Sequence, residues 1–419
     1  MKRILYAGTA LFVFGGMASV QAAEPVKLSI GGEMKQQVII ADQDADGQAS
    51  VDQQSNAYVN FKGSAKLDNG LDIAVSVETI ASQQADSRTA AGATGNGGSG
   101  SNSNIRRAYL TLSSSFGQLI LGQREDYGFI TANSAPDVGW GLQDGDWSNA
   151  IASLSDHSSH LGTNTSRYNA RSEKITLVTP SFAGFSAGFS YTPDISQARA
   201  GALSMASDSD VLNAGGSLNS RNGLNVNRRI NRSTFAGDMY LGGVSYKNKF
   251  GDVSLNANAA MGQLDLANTR VYQGGLQASY AGFTLGGSVF VREVPNEATV
   301  TYVNGTGSSA PTVVGNNAYA KAVMHAGTSF DVGASYKSGP YAVSLGYFQD
   351  KSKRNPNATG GGRADSTEVV ALSGRYTMGP GVEWCNSFYL VDFKNNGGFS
   401  NDNTENNGFA VMTGVMVKF

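Results

Sequence analysis

Apolar residues recur at every second position through most of the chain, and very short turns join the segments that carry them in pairs. Apolar and polar side chains alternate from residue 59 to 67, the turn Asp68-Asn69-Gly70 follows, and the alternation resumes from 71 to 78. This pattern predicts a β-hairpin with one apolar and one polar face. Three more hairpins of this kind are predicted, around the turns at 247–251, 280–283 and 337–340.

The connections between the predicted strands are alternately short and long. Short turns are expected at 68–70, 113–117, 180–184, 247–251, 280–283, 337–340 and 378–381. Long polar loops are expected at 42–54, 82–103, 125–163, 194–233, 294–325, 352–365 and 395–407, with a shorter connection near 265–270. Fifteen connections join sixteen strands, and an even strand number places both chain ends on the side of the short turns.

The apolar face of these strands predicts contact with lipid. Aromatic residues lie near the short turns, where an interfacial girdle would place them, and the last strand alternates up to the terminal Phe419. A strand of about ten residues or more crosses a bilayer at the tilt of a barrel. We therefore predict an all-β protein, a transmembrane antiparallel β-barrel of about sixteen strands. A β-propeller would show a near-constant repeat, which is lacking here, and a soluble sandwich would not need an apolar face on every strand.

The start of the chain predicts a secretory signal peptide. A short basic start precedes an apolar run at 4–13, which is too short to span a membrane, and small residues lead to a cleavage pattern ending at Ala22. We expect residues 1–22 to be removed and 23–419 to form the barrel. Cleavage after Ala23 fits equally well, and a retained anchor is the alternative.

Charge and cysteine content exclude other classes of protein. Loss of Lys2 and Arg3 with the signal peptide changes the formal charge from −2 to −4. This mild acidity argues against a nucleic-acid partner, which needs a basic patch. Cys385 is the single cysteine, so an exported chain of this kind relies on something other than disulfides for its stability, such as barrel closure.

Three segments resemble a known family. Residues 106–112 (Arg-Arg-Ala-Tyr-Leu-Thr-Leu), followed by 116–122 (Phe-Gly-Gln-Leu-Ile-Leu-Gly), resemble the fourth and fifth strands of Gram-negative general porins. Residues 180–191 are similar to the turn after their sixth strand, and Phe419 matches their C-terminal aromatic residue. The resemblance implies a homotrimer in the outer membrane, among lipopolysaccharide and lipid, with short periplasmic turns and long extracellular loops. It also implies that the third long loop folds into the pore and that the barrel-assembly machinery recognises Phe419.

The third long loop is acidic. It carries Glu125, Asp126, Asp137, Asp144, Asp146 and Asp156, and no Lys or Arg follows Arg124 until Arg167. Inside a lumen these carboxylates would form an acidic constriction, facing basic wall residues across a narrow water channel and creating a transverse field. The alternative is an external acidic loop that binds nothing or a loosely held divalent cation.

Basic residues of the predicted pore wall follow from strand alternation. Arg107 points into the pore if Leu110 and Leu112 face lipid, whereas the register of the family places Arg106 there, and both possibilities stay open. The other candidates are Arg124, Arg167, Arg171, Lys62, Lys66 and Arg292. Each is also compatible with an ordinary polar lumen residue or a charge at the rim.

The sequence shows no pattern typical of a catalytic or cofactor site. His157 and His160 lie close to Asp156, but a metal site would need a third ordered ligand and supporting contacts, so we expect neither a metal nor a cofactor. No Ser-His-Asp order and no phosphate-binding loop stands out. We do not expect an enzyme.

These observations predict an outer-membrane porin, exported through the periplasm, through which small hydrophilic solutes and ions diffuse passively. The carboxylates of the third long loop and the net negative charge of the mature chain favour a mild preference of the pore for cations. The alternatives are a substrate-specific channel for a sugar or an anion, an outer-membrane barrel enzyme, and an adhesin. The sequence does not identify the natural solute, the pore radius or any voltage gating.

Overall fold

The computed structural model describes residues 26–83, 105–143, 145–152, 162–165, 171–193, 238–264, 269–293, 326–353, 364–394 and 405–419. The predicted signal peptide and most of the predicted long loops lie outside these ranges. The strands are β1 Lys27–Gln43, β2 Val51–Lys66, β3 Asp72–Gln83, β4 Ile105–Ser114, β5 Gly117–Gln123, β6 Glu173–Val178, β7 Phe185–Thr192, β8 Met239–Phe250, β9 Val253–Leu264, β10 Thr269–Tyr280, β11 Phe283–Glu293, β12 Gly327–Ser338, β13 Tyr341–Lys353, β14 Ala364–Gly379, β15 Val382–Lys394 and β16 Glu405–Lys418. Two short helices, α1 Tyr127–Ile130 and α2 Trp147–Ala150, lie between β5 and β6. No helix in the described part of the chain is long and apolar enough to cross a membrane.

The sixteen strands form a closed antiparallel barrel. Each strand pairs with its neighbours in sequence, and β1 pairs with β16 to complete the ring. The last residue takes part in closure: Gly32 N donates to Phe419 O at 2.7 Å, and Phe419 N donates to Gly32 O at 3.1 Å. Closure leaves no exposed strand edge, which is the condition for a sheet to exist in lipid. The predicted barrel and its strand number are confirmed.

The seven predicted short turns join β2–β3, β4–β5, β6–β7, β8–β9, β10–β11, β12–β13 and β14–β15. The turn after β4 requires glycine, because Gly117 has a φ of +124° and a Cβ there would lie 2.2 Å from the carbonyl oxygen of Val178. The loop predicted at 42–54 is shorter than expected, since β1 continues to Gln43 and β2 begins at Val51. The ends of these two strands carry polar residues of the kind that is typical of loops, and the sequence therefore predicted a longer loop.

Three strands are shorter than the expected ten residues. β5, β6 and β7 contain 7, 6 and 8 residues. The chain leaves the wall here, because residues 124–172 connect β5 to β6 and the described part of this segment lies inside the barrel. The predicted bounds of the loop, 125–163, were therefore too narrow, and Arg171 lies in this connection, before β6.

Side chains alternate between the lipid-facing and lumen-facing sides of the wall. On β13, Val343 and Leu345 are more than half exposed on the outside, whereas Ala342 and Ser344 are buried on the inside. Such apolar exposure is unfavourable in water and favourable against acyl chains. Aromatic rings pair near the short turns, with centroids 5.1 Å apart for Tyr341 and Tyr376. These rings have the position of an interfacial girdle.

Candidate functional site at the lumenal opening

The connection between β5 and β6, residues 124–172, is called the inner loop below. It begins with α1, whose N-cap Asp126 accepts a hydrogen bond from Phe129 N at 2.9 Å. Tyr127 lies flat on the lumen side of β7: its hydroxyl lies 3.0 Å from Ser186 O and from Ser245 Oγ. Gly188 of β7 makes this possible, since a Cβ at this residue would lie 2.2 Å from the Tyr127 ring.

The inner loop then follows the inside of the wall from β9 to β15. Its backbone N–H groups are bound in turn by lumen-facing side chains of β9, β12, β13 and β15: Asn133 N by Asn258, Ala135 N by Asp331, Val138 N by Ser344 and Trp140 N by Ser387, at 2.7–3.2 Å. Backbone donors that would otherwise be buried without partners are satisfied in this way. The wall therefore provides a row of acceptors for this segment of the loop.

The second half of the described loop is held by apolar contacts. Trp147 and Ile151 are fully buried within a cluster of lumen-facing side chains from β1 and β13–β16, which includes Ile39, Tyr389 and Met412. Full burial of a large apolar side chain contributes about 1.5–3 kcal/mol. This side of the lumen is packed like a protein core, whereas open space lies on the side of β1–β4.

A cavity of about 360 Å³ lies on that side, between the inner loop and the wall. We call it the lumenal opening. Its lining side chains and glycines are Glu33, Lys35, Asn56, Tyr58, Asn60, Glu78, Arg106 and Arg107 from β1–β4, and Trp140, Gly141, Gly145 and Asp146 from the inner loop. Three acidic and three basic groups therefore face the same space.

An arginine cluster forms one wall of the lumenal opening. Glu78 accepts hydrogen bonds from Arg106 at 2.7 Å and from Arg107 at 2.9 Å. Arg107 also binds Glu125 of the inner loop at 2.5 Å, and Arg171 binds the same carboxylate at 3.3 Å. The result is a chain of alternating charges across two strands and both ends of the loop.

A β-bulge decides which arginine faces inward. Glu78 pairs with Arg107 and Thr79 pairs with Ile105, so Arg106 is an extra residue on β4. Its side chain turns into the lumen beside that of Arg107, and its guanidinium lies 4.1 Å above the ring of Tyr58. Both arginines therefore face the opening, which resolves the two possibilities that alternation left open.

Burial and neighbouring charges shift the pKa values of the two acidic residues at the start of the loop in opposite directions. For Glu125, burial favours the neutral acid, but hydrogen bonds and charge from Arg107 and the charge of Arg171 outweigh it and lower the pKa. For Asp126, burial dominates and raises the pKa, although the hydroxyl of Thr165 and the N–H of Phe129 favour the carboxylate. Glu125 therefore stays ionised, in keeping with its two arginine partners.

The profile of the Gram-negative porin family matches residues 7–396. The chain belongs to the Gram-negative porin family. No protein with a curated description matches it. Among solved structures, Salmonella typhi OmpF in complex with daunomycin has a TM-score of 0.53 at 14% identity, covering 94% of this porin and 97% of that chain. The outer membrane channel DcaP of Acinetobacter baumannii has a TM-score of 0.52 at 11% identity, covering 96% and 100%.

A third similar structure is OmpT of Vibrio cholerae in a trimer form, with a TM-score of 0.52 at 11% identity, covering 94% of this porin and 100% of that chain. At these identities the similarity concerns the fold. Family membership and the barrel together make this porin an outer-membrane diffusion channel.

The structure distributes the predicted acidic residues among different environments in the porin. Glu125 lies in the arginine cluster and Asp146 lines the lumenal opening, where it accepts a hydrogen bond from Gln37 at 3.1 Å. Asp126 caps α1, and Asp137 binds the N–H groups of Gly139 and Gly141 within the loop. Asp144 and Asp156 lie outside the described residues.

The predicted basic residues are similarly divided. Arg106, Arg107 and Arg171 meet in the cluster, while the guanidinium of Arg124 lies 4.6 Å above the ring of Tyr109 nearby. Arg292 is buried on the lumen side of β11. Lys62 and Lys66 are exposed on β2, and Arg167, His157 and His160 lie outside the described residues.

Sequence reasoning missed three charged residues of this porin. Glu33 and Lys35 line the opening from β1, with 3.8 Å between their charged groups, and Glu78 joins the two arginines. Each occupies a lumen-facing position of its strand, so alternation identifies their side of the wall. Nothing in the sequence indicates how deep in the lumen these residues lie, because their depth depends on strand register and on the path of the inner loop.

Proposed function

We propose that this outer-membrane channel is a general diffusion pore whose narrowest part is the lumenal opening. Small hydrophilic solutes and ions pass between the arginine cluster and the loop residues Trp140, Gly141, Gly145 and Asp146, with no chemical step. The supporting observation is the placement of charges on both sides of a cavity of about 360 Å³, next to an apolar cluster that fills the neighbouring part of the lumen. Pore width and these charges then determine which solutes pass.

The charge balance of the lining supports weak selectivity. Glu33, Glu78 and Asp146 oppose Lys35, Arg106 and Arg107, so the formal charge of the lining is zero. The mild acidity of the whole chain adds a small attraction for cations. We therefore propose a slight cation preference, with a transverse field between Asp146 of the loop and the arginines of β4.

Single-channel recording of the purified porin in planar bilayers tests this function. Replacement of both arginines, Arg106→Gln with Arg107→Gln, removes two long cationic side chains from the lining and should raise the conductance and the cation preference. The matched control is Arg270→Gln, which removes a cation from the outer face of β10. Equal conductance in the double variant and the wild type would contradict the proposed location. Saturable conductance blocked by one solute would instead support a substrate-specific channel.

We further propose that the porin is a homotrimer in contact with lipopolysaccharide, assembled by the machinery that inserts barrels. The trimer form of Vibrio cholerae OmpT supports the oligomeric state. The position of Phe419 supports a role in assembly: its backbone closes the barrel against Gly32, while its ring stays largely exposed on the outside. An exposed terminal aromatic is accessible for recognition before the barrel closes.

A further inference from the structure

Asp331 lies on the lumen side of β12, where it is buried beneath the inner loop. Oδ1 accepts a hydrogen bond from Ala135 N at 2.7 Å. Oδ2 lies 2.8 Å from Thr163 Oγ1 and 2.7 Å from Ser288 Oγ, and it also accepts a hydrogen bond from the side-chain amide of Gln143. Four groups that can donate a hydrogen bond therefore surround this one carboxylate.

These donors come from three distant parts of the chain. Ala135 and Gln143 belong to the outgoing part of the inner loop, Thr163 to the returning part, and Ser288 to the adjacent strand β11. The two parts of the loop also contact each other here, because Gln143 Oε1 accepts a hydrogen bond from Thr163 N at 3.0 Å. Asp331 thus fastens both layers of the loop to one point of the wall.

The segment held by these contacts carries one side of the lumenal opening. Residues 135 and 143 enclose Trp140 and Gly141, and Gly145 and Asp146 follow directly. A buried carboxylate bound only by loop and wall donors gains most when all of them are present, since hydrogen bonds to a charged group are stronger than neutral ones. Displacing the loop would remove the contacts of Ala135, Gln143 and Thr163 with this carboxylate and leave only that of Ser288 among these four.

We infer that Asp331 is the positioning residue that sets the width of the lumenal opening. It contacts no permeating solute and acts through the inner loop. This inference rests on the proposed function, because it assumes that the opening is the narrowest part of the pore. A role confined to barrel stability would leave the position of the loop, and with it the pore width, unchanged.

The porin contains its own reporter of loop position. Cys385, the single cysteine, faces the lumen on β15 and is buried in the cluster that includes Trp140. The indole N–H of Trp140 donates to the carbonyl of Cys385 at 3.2 Å. A water-soluble maleimide should reach this thiol only when the loop segment around Trp140 leaves the wall.

The experiment compares the full-length mature porin with Asp331→Ala, Asp331→Asn and the control Asp350→Asn. Asp350 is a buried lumen-facing carboxylate on the next strand, β13. In Asp331→Ala we expect Cys385 labelling at least about tenfold faster, the factor that loss of one charge-assisted hydrogen bond corresponds to, together with higher single-channel conductance. Asp331→Asn keeps one acceptor oxygen and should show a smaller effect. The control should match the wild type, and heat-modifiable gel mobility checks that every variant is folded.

The two measurements separate the inference from the proposed function. Faster labelling with higher conductance supports both. Faster labelling with unchanged conductance supports the fastening of the loop by Asp331 but overturns the width claim, together with the location of the narrowest part. Unchanged labelling and conductance overturn the inference. The proposed function is then tested separately by the variant that replaces Arg106 and Arg107. If Asp331→Ala does not fold, the double variant Gln143→Leu with Thr163→Val removes two of the three loop contacts and keeps that of Ala135 N. Its labelling and conductance should rise in the same direction, and unchanged values of both would overturn the inference.

Discussion

Replacing Glu78 by glutamine should make the porin more permeable to anions. Glu78 is buried at the edge of the lumenal opening and binds both Arg106 and Arg107. The substitution keeps the size of the side chain and removes one negative charge. The formal charge of the lining then changes from zero to +1, while the two arginines stay in place through Tyr58 and Glu125.

The expected size of the effect follows from Coulomb's law. One unit charge acts on an ion about 7 Å away in water with about 0.6 kcal/mol, and screening at 0.1 M salt reduces this to about 0.3 kcal/mol. An anion gains this amount and a cation loses it, so the ratio of cation to anion permeability should fall by about threefold. Such a change is large enough to reverse a slight cation preference.

The assay is the reversal potential in a KCl gradient across a planar bilayer. Glu293→Gln is the matched control, since it removes the same charge from the exposed end of β11 outside the lining. It should leave the reversal potential unchanged. If the Glu78→Gln barrel is folded, as judged by gel mobility with and without heating, and shows the reversal potential of the wild type, the placement of Glu78 at the narrowest part is refuted.

Two further predictions concern acid and assembly. Because Arg107 and Arg171 lower the pKa of Glu125 despite its burial, the stabilisation from these ion pairs is present above the ordinary carboxylate pKa and is lost only as the pH falls through the lowered value. The difference in conductance between the wild type and Glu125→Gln should therefore stay constant from pH 7 to about 4.3, and a change in that difference beginning near pH 6 would contradict this assignment. The proposed trimer should persist in mild detergent, where light scattering should give three times the mass of one chain; a single-chain mass would count against it.

Strand number and turn positions were predictable because their signals are local. Alternation has a period of two residues and turn chemistry spans a few positions, so each hairpin could be recognised alone. The end of the inner loop was less accessible, because the short strand β6 follows a loop whose path depends on the opposite wall. The same limit applies to the first loop, where the polar ends of β1 and β2 continue the sheet.

The site was predictable only as a set of candidates. The sequence left open whether Arg106 or Arg107 faces the lumen, a bulge brings both there, and no feature of the sequence marks that bulge. The acidic residues of the loop were recognised as a group, yet Asp137 binds backbone N–H groups of the loop itself. Composition describes the charge of a segment, whereas hydrogen-bond partners decide whether each carboxylate faces water or holds the loop in place.

The sequence alone determined that this chain forms a closed barrel with a lipid-facing exterior, because each strand and turn carries its own periodic signal. The tertiary structure decided where the lumenal opening lies and which charges meet there. Glu78, Arg106, Arg107 and Glu125 become neighbours through strand pairing and the start of the inner loop, and Asp331 joins loop segments that are far from it in the chain. Contacts of this kind depend on register and on the path of a loop through space, and neither is encoded by local periodicity.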